Sequence, residues 1–90
     1  MPVVSFNDDS LNRHNVSHTE ITEVLADDLT KAVEFGESQH GNPTVMYVGY
    51  TANERMLEIG VEFLDEDAEH VYHARSVTSN YAKLYKKQWR

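Results

Sequence analysis

Two runs of strand-forming residues on either side of a four-residue turn cluster constrain this chain most. Thr44-Val45-Met46-Tyr47-Val48-Gly49-Tyr50 and Met56-Leu57-Glu58-Ile59-Gly60-Val61-Glu62-Phe63 flank Thr51-Ala52-Asn53-Glu54. β-Branched and aromatic side chains at that density favour extended backbone, so the spacing predicts a central hairpin. In its second run Glu58 and Glu62 fall on one side and Leu57, Ile59, Val61 and Phe63 on the other, as a strand with one buried face requires. After the turn Asp65-Glu66-Asp67, a third strand is expected over residues 69–75, where Val71, His73 and Arg75 alternate with His70, Tyr72 and Ala74. The three runs predict an antiparallel β-meander.

Helices are expected on both sides of it. Val3–Phe6 reads as a short strand running into the turn and cap formers Asn7-Asp8-Asp9-Ser10, and a short helix follows over residues 9–14. Ser17 with Glu20 three residues later predicts a capping box, and Ile21, Val24 and Leu25 recur at helical spacing until about Asp28. Residues 30–35 fit either a strand or the fraying end of that helix, and residues 36–43 are a loop on both readings. From Thr78 onward Tyr81, Leu84, Tyr85 and Trp89 follow a spacing of three and four, which places a terminal amphipathic helix on the sheet with its lysines in water. The fold class is α+β, with two N-terminal helices, a meander and a C-terminal helix.

Ninety residues leave room for one hydrophobic core, so a single domain is expected over residues 1–90. With no cysteine that core must hold without disulfides or thiolate ligands. No apolar run reaches the roughly 18 residues of a membrane span and the N-terminus lacks a signal core, so a cytoplasmic location without membrane attachment is expected. The net charge of −7 opposes non-specific binding to phosphate backbones and direct DNA binding. Lys83, Lys86, Lys87 and Arg90 nevertheless crowd into the last eight residues.

Neither a metal nor a cofactor is expected. His14 and His18 stand at the spacing of a helical metal pair, but Val16-Ser17 breaks the helix between them. Strand alternation puts His70 and His73 on opposite faces. The acidic run at residues 65–69 lacks the glycine of a calcium loop, and the four glycines form no phosphate cradle. The remaining candidates are Arg13-His14 at the end of the first helix, His73 and Arg75 on the last strand, and Tyr81 or Tyr85 on the terminal helix. An imidazole titrating near neutrality beside a guanidinium supplies what RNA cleavage by 2′-hydroxyl attack needs without a metal. The structural alternative is that Arg75 pairs with a carboxylate and His14 closes a helix.

Arg13-His14-Asn15-Val16-Ser17-His18-Thr19-Glu20 resembles the lysine-histidine-glycine-valine signature of BrnT-type toxins, the ribonuclease partners of type II toxin and antitoxin pairs. Val48-Gly49 with Glu54-Arg55-Met56-Leu57 resembles that family's central hairpin. His73-Ala74-Arg75-Ser76-Val77-Thr78, with Tyr85 one helix later, resembles its closing alanine-arginine-lysine-alanine-threonine stretch. Order and spacing agree over nearly the whole chain. The resemblance implies a RelE-like fold, metal-independent RNA cleavage, and a ribbon-helix-helix antitoxin as partner. It implies Arg13 and Arg75 as phosphate clamps, His14 as general acid or base, and Tyr85 as an orienting group. The sequence departs from the family pattern at Asn15 for glycine, Thr44 for arginine, Ser76 for lysine and Tyr81 for glutamate. Loss of cationic groups implies weakened cleavage. The alternative is an inactive domain retained as a protein-interaction or regulatory module, its acidic surface steering a basic partner.

Overall fold

The computed structural model describes residues 3–65 and 67–87. Among them β1 (Val3–Phe6), α1 (Asp8–Arg13), α2 (His18–Ala26), β2 (Lys31–Glu37), β3 (Pro43–Tyr50), β4 (Met56–Asp65), β5 (Ala68–Ser76) and α3 (Ser79–Lys87) follow in chain order. The strands form one mixed sheet in the order β1-β5-β4-β3-β2. β2 to β5 pair antiparallel with their chain neighbours, whereas β1 lies parallel to β5, so the sheet is not purely antiparallel. No helix among the described residues is long and apolar enough to cross a membrane. Glu66, Trp89 and Arg90, which entered the sequence reading of the acidic turn and the terminal helix, lie outside the described residues.

Local signals explain the elements. Asn7 caps α1 by accepting from the Ser10 amide, one residue ahead of the expected start. The capping box of α2 is present: the Ser17 hydroxyl accepts from the Glu20 amide at 3.1 Å, and Glu20 Oε1 accepts from the Ser17 amide at 3.0 Å. Between the helices Asn15 has φ 55°, a left-handed conformation that asparagine tolerates better than most side chains. α2 stops at Ala26 because Asp27 leaves the helical region and its carboxylate takes the Leu29 amide, turning the chain. Of the ambiguous residues 30–35, residues 31–35 therefore belong to strand β2 rather than to the helix, and because β2 runs on through Glu37 and β3 starts at Pro43, the loop expected over residues 36–43 shrinks to residues 38–42.

Strict alternation fails in β5. Gly60 pairs with His73 but Val61 pairs with Val71, so Tyr72 is an extra residue and the strand bulges there. Val71 and Ala74 are buried, while Tyr72 and His73 both turn to the face that carries Glu58, Gly60 and Glu62. His70, opposite Glu62, shares that face with His73, which corrects the expectation that the two histidines lie on opposite sides.

The sheet has a core on each face. Leu11, Val16, Ile21 and Val24 of the N-terminal helical region pack on Leu57, Ile59, Val61, Val71 and Ala74. On the other face Tyr85 packs with Val33, Met46 and Val48, joined by Tyr81 and Leu84. α3 packs mainly against β2 and β3, and Glu62, Tyr72 and His73 on the same face of β4 and β5 stay partly exposed.

Candidate active site

The parallel pairing of β1 ends at Val71, where the Asn7 amide donates to the Val71 carbonyl and the chain leaves the sheet as α1. The second half of β5 is thereby left as a sheet edge. α1 packs on β5, and its C-cap residue His14 comes round to that edge. The His14 and His73 rings meet edge to face with centroids 6.2 Å apart.

Behind His73 stands a buried acid. Glu58 is 3% exposed, which corrects its expected position on the solvent side of β4. Its Oε2 lies 2.8 Å from His73 Nε2, and its Oε1 accepts the Thr78 amide at 2.7 Å just ahead of α3. Both carboxylate oxygens are thus partnered, as a buried charge requires. One carboxylate fixes both the ring of His73 and the entry of α3. It also engages Nε2, leaving Nδ1 as the nitrogen His73 can present.

The pKa of His14 is lowered by partial desolvation first, then by the charges of Arg75, His73 and Arg13, against a smaller opposing pull from Glu58. His14 is therefore biased to the neutral form, which can accept a proton. Arg75 stands opposite Glu58 in the strand register and is exposed. Neither Arg75 nor Arg13 makes a hydrogen bond or ion pair among the described residues, so both guanidinium groups are open to an anion.

Arg55 holds these pieces in place, and sequence reasoning passed over it. Its Nη1 donates to the Asn15 carbonyl at 2.8 Å and to the Glu20 carboxylate, and its Nη2 donates to the His14 carbonyl at 3.2 Å. Nη2 and Nε also reach the Ser76 hydroxyl, at 3.2 and 3.4 Å. The corner that carries His14 is thus tied to the strand end that carries Arg75. An arginine between the turn and the apolar start of β4 was the available signal.

Of the candidates named from the sequence, His14 meets His73 at the β5 edge, and Arg13 and Arg75 lie near enough for their charges to act on it. Tyr85 stands in the α3 core, 4% exposed, its hydroxyl donating to the Leu29 carbonyl at 3.1 Å and its ring edge-on to Tyr50. Tyr81 is nearer the site. Its hydroxyl donates to Glu34 Oε1 at 2.7 Å, and that bond together with burial and the charges of Glu34 and Glu58 pushes its pKa up to about 12. His18 stacks on Phe6 and pairs with Asp8 at 2.6 Å, so it is engaged away from His14. Among the described residues no three His, Asp or Glu side chains gather as ligands for one metal ion. No protein-family model matches the chain, and no curated protein matches it.

Proposed function

We propose that this chain is a BrnT-like, metal-independent endoribonuclease with a RelE-like fold, acting in the cytoplasm. The observation that carries the reading is the meeting of His14, His73 and Arg75 at the free edge of β5. Two imidazoles beside an exposed guanidinium are the groups that transesterification of RNA uses. Neutral His14 takes the proton of a ribose 2′-hydroxyl as its oxygen attacks the adjacent phosphorus. Arg75 and Arg13 hold the non-bridging oxygens, where charge gathers in the transition state. His73, held at Nε2 by Glu58, donates a proton from Nδ1 to the departing 5′-oxygen. The P–O2′ bond forms, the P–O5′ bond breaks, and the products end in a 2′,3′-cyclic phosphate and a 5′-hydroxyl. Ser76 in place of the motif's lysine removes one cation, so the rate is lower than the full motif would support.

The test is incubation of the purified chain with single-stranded RNA and analysis of the new ends, with growth followed on induced expression. Cyclic phosphate ends are expected, and Arg75→Ala should slow their formation by about 10²–10³-fold, as removing one transition-state donor does. Arg75 is exposed and His14 only partly buried, so Arg75→Ala and His14→Gln should melt near the wild-type temperature. Intact RNA at high protein concentration, or cleavage indifferent to Arg75→Ala, overturns the proposal.

A second reading, an inactive interaction module, is favoured by one feature. Leu29 and Tyr50 are exposed beside a cleft rimmed by Asp27 and Glu54, on a chain of net charge −7. A basic and partly apolar partner, such as the ribbon-helix-helix antitoxin that the family resemblance implies, suits that surface. Binding of such a partner without any RNA cleavage would make it the better account.

A further inference from the structure

The partly exposed face of β4 and β5 continues past His73 into an open cleft of about 420 Å³. Its floor is built from cross-strand neighbours: Glu62 pairs with His70 on one side and Thr44 on the other. Asn42 Nδ2 donates to Glu62 Oε2 at 2.9 Å, and that bond, with a second from Ser38, holds the Glu62 carboxyl below its ordinary pKa. The cleft therefore contains an ionised acceptor fixed in position. Ser5 Oγ holds His70 through Nδ1 at 2.7 Å.

Between this acceptor and the two imidazoles lies Tyr72, the bulge residue. Its ring extends over Gly60, where a Cβ would come within 2.6 Å of Tyr72 Cζ, so the missing side chain at Gly60 lets the ring lie across β4. The Tyr72 and His73 ring centroids are 6.5 Å apart. The face thus presents, in order, cations and imidazoles at the edge, an aromatic plate, and a fixed carboxylate.

We infer that this cleft selects the base next to the scissile phosphate and that the base it takes is guanine. The inference rests on the RNA-cleavage reading and adds specificity to it. An aromatic face accepts any base by stacking, so discrimination falls to the acceptor. On the Watson–Crick edge guanine alone presents two adjacent donors, N1–H and the N2 amino group, and a carboxylate accepts both in parallel. Adenine, cytosine and uracil each set an acceptor beside their donor, which the carboxylate repels. Charge also sets the direction: phosphate lies at Arg13 and Arg75, and the uncharged base lies toward Glu62. The carboxylate in the cleft therefore faces the base rather than the backbone.

The test uses the full chain and DNA oligonucleotides carrying a single ribose linkage, with each of the four bases placed on either side of it. Titration of guanosine and cytidine 3′-monophosphates, followed by amide NMR, runs beside it. Cleavage next to guanine is expected to be about 10- to 100-fold faster than at the other bases, the discrimination one bidentate pair supplies. Glu62→Gln should bring that ratio below about 3-fold, and the guanosine nucleotide alone should shift the amides of Glu62, His70 and Tyr72. Cleavage without base preference, or a preference that survives Glu62→Gln, overturns the guanine site and leaves the ribonuclease reading standing. Guanosine binding in the cleft without cleavage upholds the base site and overturns the reaction. Absence of both, or binding of alkyl guanidinium in preference to the nucleotide, overturns the inference.

Discussion

The two faces of the sheet are built from the same strands and serve opposite ends. Toward α1 and α2, β4 and β5 present Leu57, Ile59, Val61, Val71 and Ala74, a wholly apolar surface closed by aliphatic side chains. Toward α3 the same two strands present Glu58, Gly60, Glu62, Tyr72 and His73, and α3 covers β2 and β3 instead. One face holds the fold together and the other is left open to chemistry. A helix of nine residues is about 13 Å long, too short to cover the whole sheet, and its placement decides which strands stay accessible.

The sharpest contrast between the faces should be in what truncation costs. Ile59→Ala on the closed face removes a fully buried side chain and is expected to lower stability by about 2–5 kcal/mol, a large part of what a domain of this size has. Urea unfolding measures it. A loss below about 1 kcal/mol would mean that the aliphatic core is not the principal support.

Glu58 tests the open face. Glu58→Ala leaves the Thr78 amide and His73 Nε2 without their acceptor, and about 1–3 kcal/mol should be lost despite the small apolar area involved. Glu58→Gln retains an acceptor for Thr78 and should lose less, while removing the charge behind His73. Equal losses for the two variants would show that space-filling, not hydrogen bonding, is what Glu58 contributes.

These faces were unequally legible in the sequence. Leu57, Ile59, Val61 and Phe63 declared the closed face because alternation in β4 is unbroken from Leu57 to Phe63, and the Ser17 to Glu20 capping box declared α2 because both partners are local. The open face was hidden by the bulge at Tyr72, which turns Tyr72 and His73 to one side and breaks the period that assigns faces. Glu58 reads as a solvent-facing acid by alternation alone. Its burial depends on α3 beginning above it and on His73 arriving from the next strand, both long-range facts. Arg13, His14, His73 and Arg75 could each be named from the sequence as candidates, but the approach of His14 to His73 depends on how α1 packs on β5. Arg55 was not legible, since its partners lie 21 to 41 residues away in sequence. The parallel placement of β1 likewise depends on a crossover that no local pattern marks.

The corner between α1 and α2 joins the faces, and its backbone can be tested separately. Asn15→Val forces a β-branched residue into the left-handed region and should cost about 1–2 kcal/mol, whereas Asn15→Gly should be neutral or slightly stabilising. Thermal unfolding distinguishes them. If Asn15→Val is harmless, the corner does not hold that conformation in solution.

The smallest expected effects are in pH dependence, and they separate the two sides of this corner. Glu20 is held below its ordinary pKa by the Ser17 amide first and then by Arg55, so the unfolded chain takes up its proton before the folded one as pH falls. Its contribution is complete above about pH 4.5 and is lost as pH drops through the lowered value. His14 is also lowered, so its folded form resists protonation. Stability linked to it is present above the ordinary histidine value of about 6.5 and declines as pH falls below it. Arg55→Met should therefore narrow the acid window without abolishing it, since Glu20 keeps the Ser17 amide, and His14→Gln should flatten the near-neutral one while leaving the acid one in place. In the cleavage assay the same shift places the acid limb of the rate profile below about pH 6.5, because neutral His14 is the base. A stability profile between about pH 5 and pH 7 that is indifferent to His14→Gln would separate His14 from Arg75 and His73, and would remove the base from the proposed site.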